Sequence, residues 1–136
     1  RSSYSVSAMT GTAAACLAAF EAALARTDLG GAMALLSDDV LFFYSNGSAH
    51  FGKVAVRAAV KSNFDSIKDD TYAAHDHVWL ALSDTAAACT FSFAWTGTLD
   101  GKPVEGRGRG TTVLRREAGG WRIVHEHLSQ GRWKMP

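Results

Sequence analysis

Two His-x-His segments are the residues of this chain best suited to chemistry: His75-Asp76-His77 and His125-Glu126-His127. Residues two apart on a strand share a face, so each segment would place two imidazoles about 6.5–7 Å apart along it. An imidazole oriented by a carboxylate can move a proton, and four imidazoles on neighbouring strands could converge on a metal ion. Strict alternation through the last strand puts Trp121, Ile123, His125, His127 and Ser129 on one face, more like the wall of a pocket than a plain core. His127 or His125 is therefore the expected general base, with Asp28, Asp38, Asp39 and Asp76 as possible carboxylate partners. No CxxC pattern accompanies the histidines, and no metal and no cofactor are assigned.

The surroundings of such a site are expected to be aromatic. Tyr44 and Trp95 come late in their strands and carry polar handles, which suits a hydrogen-bond donor and an apolar wall at a pocket mouth. Phe51, Phe64, Trp79 and Phe93 complete the candidate lining, and Arg109, if turned inward, would anchor a carboxylate. Gly106, Gly108 and Gly110 alternate with Arg107 and Arg109 but lack the spacing and following helix of a dinucleotide fingerprint. In an antiparallel strand such glycines mark a bulge or the close approach of a bulky ring.

The elements that must hold these residues follow from periodicity. Thr12 precedes an Ala-rich helix with Cys16, Leu17, Phe20, Ala23 and Leu24 on one stripe. Asp28 caps a short helix to Leu36, and Lys53 to Ile67 form a third helix with Val56, Val60, Phe64 and Ile67 inward. Val40 to Ser45 read as a strand and 46–52 as a loop with an Asn46-Gly47 turn. From Tyr72 onward only strands follow, with Phe91, Phe93 and Trp95 on the inner face of one of them and Thr90, Ser92 and Thr96 on the outer. Helices first and a meander afterwards predict an α+β fold: three N-terminal helices packed on a strongly curved, mostly antiparallel sheet, a cone with a pocket. Residues 12–130 form the expected domain, 1–11 a flexible or vector-derived segment, and 131–136 a C-terminal tail.

With 136 residues, net charge +1 and 47% hydrophobic residues, one globular domain is expected, with no global field to recruit nucleic acid and no apolar run that spans a membrane. Cys16 and Cys89, far apart in apolar company, read as buried thiols rather than a disulfide, and the chain is expected in the cytoplasm.

Three runs carry a family resemblance: Leu35-Leu36-Ser37-Asp38-Asp39-Val40, Phe51-Gly52-Lys53-Val54-Ala55-Val56-Arg57, and the closing Gly120 to Ser129. They resemble, in order and spacing, the SnoaL-like group of the nuclear transport factor 2-like superfamily, the cystatin-like cones. The closing run also resembles the association domain of calcium/calmodulin-dependent protein kinases, a ring-forming member. The resemblance implies a conical pocket and a homodimer through the outer sheet face, but no single reaction. Positions matching the ketosteroid isomerase tyrosine, general base and second acid hold Phe20, Tyr44 and Thr112, so that chemistry is not expected. Against the dehydratases, the catalytic histidine falls near Tyr72 and the orienting carboxylate on Asp28. The expected function is binding of a small apolar or carboxylate-bearing molecule, with cofactor-free lyase or isomerase activity by a histidine base. The alternative is a non-catalytic ligand-binding or oligomerisation module.

Overall fold

A computed structural model describes residues 10–131; the expectations for residues 1–9 and for the tail from 132 lie outside them. The described chain runs α1 (Ala13–Ala25), α2 (Leu29–Met33), β1 (Leu36–Phe43), β2 (Ala49–Phe51), α3 (Lys53–Ser66), β3 (Lys68–Leu82), β4 (Ala86–Leu99), β5 (Lys102–Glu117) and β6 (Gly120–Gln130). The strands form one sheet in the order β2-β1-β6-β5-β4-β3, antiparallel except where β1 runs parallel to β6. This is an α+β fold of three helices on a mostly antiparallel open sheet.

The helices start where their caps place them. The Thr12 hydroxyl accepts from the Ala15 amide and the Asp28 carboxylate from that of Gly31, satisfying donors that the first turn leaves open. The α2 helix ends at Met33, short of Leu36, because Leu36 already belongs to β1. The segment 46–52 is not only a loop. Gly47, at φ 89°, makes the Asn46-Gly47 turn, which brings Ala49–Phe51 back to pair with β1.

The core lies between helices and sheet. Cys16, Leu17 and Phe20 of α1 meet Val40 and Phe42 of β1, Val56 and Val60 of α3, Leu114 of β5 and Ile123 of β6. Cys16 and Cys89 are buried free thiols, and burial pushes the Cys16 thiol up to about 11. No helix among the described residues is long and apolar enough to cross a membrane.

Two irregularities in the sheet decide what its faces carry. Leu114 pairs with Ile123 but Val113 with His125, so Val124 is an extra residue, a β-bulge. In β3 the register slips between His75 and Val78, where Asp76 adopts φ 57°. Each slip exchanges inward and outward positions beyond it.

Candidate functional site

Between the helices and the inner sheet face lies a cavity of about 320 Å³, at the small end of ligand-pocket volumes. Its wall is aromatic: Phe20 from α1, Phe42 and Tyr44 from β1 and the turn after it, Phe64 from α3, Tyr72 from β3, Phe93 and Trp95 from β4. Leu24, Val60, Ile67 and Leu128 fill between the rings; Ser45, Asn46, Asn63, Asp70 and Glu126 supply the polar groups.

The glycines of β5 make room for these rings. Gly106 lies opposite Trp95, Gly108 opposite Phe93 and Gly110 opposite Phe91. A Cβ on Gly108 would come within 3.0 Å of Phe93 Cζ, and one on Gly110 within 2.9 Å of Leu128 Cδ2 and against the Phe91 ring. The close-approach reading of the glycine run therefore describes it. With the glycines inward, Arg107 and Arg109 are exposed on the other face.

Glu126 is the group that the cavity isolates. It is 3% exposed, and its Oε2 has no hydrogen-bond partner. Burial away from water pushes its carboxyl up to about 8, the Glu21 charge adds to the shift, and the Thr112 hydroxyl pulls the other way. Thr112 sits directly across the ladder, but its Oγ1 also lacks a partner, so the two fall short of a full hydrogen bond. A carboxyl so placed is mostly neutral at pH 7, because nothing nearby replaces the water its charge would need. Tyr44 and Tyr72 are raised well above the ordinary phenol range, first by burial and then by the Glu126 charge, and remain neutral hydroxyls. Tyr72 stacks on Phe93 at 6.4 Å, and Tyr44 meets Phe42 edge-on at 6.1 Å.

Of the residues expected at a site, Tyr44, Trp95, Phe64 and Phe93 line this cavity. The others do not. His125 and His127 face outward, because the bulge at Val124 reverses the alternation that began at Trp121 and brings Glu126 inside instead. On the outer face both imidazoles meet Phe43 edge-on at 5.2 Å, and His125 Nδ1 donates to the Leu41 carbonyl at 2.7 Å. Arg109 borders a second, more open hollow of about 460 Å³ with Asp76, Ser92 and His127, so it gives the aromatic cavity no carboxylate anchor. Phe51 is 72% exposed, since β2 is a short edge strand with no layer over that ring. Trp79 is half-buried against the core, outside the cavity lining.

The histidine pairs do not converge either. β3 and β6 are separated by β4 and β5, and the slip at Asp76 sends His75 and His77 to opposite faces. His75 lies opposite outward Ser92, whereas His77 reaches α1, where its Nε2 donates to Glu21 Oε2 at 2.6 Å and its ring stacks on Phe91 at 5.9 Å. Among the described residues no group of three or more His, Cys, Asp or Glu side chains could hold a metal ion. Asp28 caps α2 and pairs with Arg26 at 2.9 Å, a structural role.

Sequence reasoning missed Glu126 and Glu21. Trp121 and Ile123 are apolar at odd positions and Leu128 at an even one, which is the trace a phase reversal leaves in sequence. Glu21 follows Phe20 and lies four residues after Leu17, at the margin of the buried stripe.

Three helices on a mostly antiparallel sheet, around an aromatic cavity, define the α+β architecture. Residues 13–132 match the SnoaL-like domain family, and the chain belongs to it. Its fold is shared by a protein from Streptomyces avermitilis described provisionally as a dehydratase of the NTF2-like family (16% identity, TM-score 0.78, 90% of this chain and 96% of that one). A ketosteroid isomerase-like protein from Erwinia carotovora atroseptica is similar at 20% identity and TM-score 0.77, over 92% and 98% of the two chains. A protein from Thiobacillus denitrificans, described provisionally as a calcium/calmodulin-dependent protein kinase type II association domain, is 26% identical with TM-score 0.75, over 88% and 94%. No curated protein matches the chain in sequence.

Proposed function

We propose that this protein binds a small molecule in the aromatic cavity and handles a proton there through Glu126, as a cofactor-free lyase or isomerase would. The observation that carries the reading is the Glu126 carboxyl, buried in the cavity wall with Oε2 unpartnered and raised to about 8. A carboxyl that titrates near neutrality can give and take a proton within one reaction cycle. Tyr44 and Tyr72 supply neutral hydroxyls in the same cavity. The histidine base expected from the alternation has no place in this scheme, because His125 and His127 lie across the sheet from the cavity. Fold likeness to a described dehydratase and an isomerase-like protein is compatible with such chemistry but does not specify it.

The test is hydrogen–deuterium exchange into a panel of weak carbon acids incubated with the protein in D₂O. Exchange that is lost in Glu126→Gln and kept in His127→Asn supports Glu126 as the proton carrier. Exchange that survives in Glu126→Gln and is lost in His127→Asn returns the role to the outer face.

The homodimer rests on a separate observation. Val78, 53% exposed on β3, shares the outer face with Thr90. A second copy laid on that face would cover apolar surface. Ser92→Arg, in the middle of the face, is expected to run as a monomer by light scattering while the wild type runs as a dimer; an unchanged mass sinks the interface. A cytoplasmic address fits two free buried thiols.

A further inference from the structure

Taking Glu126 and the aromatic cavity as the ligand site just proposed, we infer that its ligand class is the small organic cation, an ammonium carried on an apolar body, and that anions are excluded. The lining pairs two carboxyl groups, Asp70 and Glu126, with seven aromatic rings. Among the described residues no lysine, arginine or histidine lines the cavity. A carboxylate or phosphate ligand would enter with no counter-charge, beside Asp70, with only neutral hydroxyl, amide and carboxyl donors to replace its hydration. A cation would gain twice. Ring faces such as those of Trp95, Tyr44 and Tyr72 attract positive charge, and the carboxyl whose Oε2 has no partner would acquire one.

The second gain carries a proton with it. The groups facing Glu126 are Tyr44 after β1, Tyr72 and Asp70 of β3, Glu21 of α1 and Thr112 of β5; the Glu21 charge itself meets His77. None of the groups in the cavity lining is cationic. Empty, the site therefore keeps Glu126 mostly protonated at pH 7, with its carboxyl raised to about 8. A bound cation favours the ionised form, so binding expels the proton, and ligand charge and Glu126 ionisation are linked. That linkage deepens the proposed function, because it turns a resting acid into a base at the moment a substrate of the right charge arrives.

Isothermal titration calorimetry of the intact protein at pH 7, in two buffers of different ionisation enthalpy, tests this. The probes are benzyltrimethylammonium, its neutral near-isostere benzyldimethylcarbinol, and phenylacetate. The cation should bind roughly tenfold or more tightly than the carbinol and release about one proton, while phenylacetate should not bind. Its affinity should rise roughly tenfold per pH unit below about 8 and level off above. In Glu126→Gln the preference for the cation should shrink to within about threefold and the proton release vanish, with the carbinol still bound. The pH profile of the wild type stands even if that variant does not fold. If the carbinol binds as well as the cation, or the cation binds without releasing a proton, the charge assignment falls and the pocket reading survives. If none of the three binds, both fall.

Discussion

The two His-x-His segments are nearly alike in sequence, yet they end in different places. His75 and His77 are split by a register slip at Asp76, one outward and one bonded to Glu21 on α1. His125 and His127 stay together, ring centroids 6.2 Å apart, but a slip at Val124, just before the pair, turns both out of the cone and Glu126 into it. A slip inside a motif separates its members; a slip ahead of it moves them as a unit to the other face. Which polar groups line the cavity thus depends on where one extra residue sits; strict alternation would place His125 and His127 there instead of Glu126.

The strongest way to break the comparison is to shift the phase of β6. Deleting Val124 alone only closes the bulge, since His125 already pairs with Val113 next to the Leu114–Ile123 pair, and it should leave Glu126 inward. Deleting Val124 and His125 together would drive His127 inward and Glu126 outward, and should cost more than about 3 kcal/mol in denaturant unfolding, or prevent folding, because an imidazole and a core of fixed shape cannot exchange places. Equal losses for the two deletions would show that the phase of β6 does not decide what enters the cavity.

Glu126→Gln should have the next largest effect, and its sign depends on pH. The native chain holds the Glu126 proton up to about 8, whereas the unfolded chain releases it near the ordinary carboxyl value of 4.5. Within that window the native state binds more protons, so this group makes wild-type stability fall as pH rises and level off above about 8. Glu126→Gln should flatten that fall and be more stable than wild type at pH 9 by a few kcal/mol, read from denaturant midpoints across the pH range. Parallel curves for the two proteins would mean that the carboxyl is ionised in the fold.

Smaller changes sharpen the β3 side. Asp76 holds φ 57°, so Asp76→Val should cost about 1–2 kcal/mol while Asp76→Gly is neutral or slightly stabilising. Equal effects of the two would remove the slip as a backbone requirement. The smallest effect is electrostatic. The Glu21 charge contributes second to the raised Glu126 carboxyl, so Glu21→Gln should lower that titration without returning it to the ordinary range. Carbon-13 NMR of the Glu126 carboxyl would read the shift, and a rise would contradict the like-charge coupling.

Much of the architecture was legible along the chain. The α1 stripe from Cys16 to Leu24, the caps at Thr12 and Asp28, and the inward face of Phe91, Phe93 and Trp95 all follow from periodicities of 3.6 and 2. So did the glycine run, whose meaning is steric and local. The site was legible only in its walls: Tyr44, Phe64, Phe93 and Trp95 were within reach of pattern, whereas Glu126 was not, nor was its separation from His125 and His127.

By itself, then, the amino-acid order determined which segments coil or extend, the α+β cone they build, and the aromatic character of its interior, because these follow from propensity and hydrophobic spacing between near neighbours. Only the tertiary structure decided which polar groups enter that interior. The bulge at Val124 is set by the pairing of β6 with β5, and the Glu21–His77 contact joins residues on α1 and β3 that lie far apart in the chain. The raised carboxyl of Glu126 comes from the removal of water around it, and that removal exists only once helices and sheet have closed over the cavity.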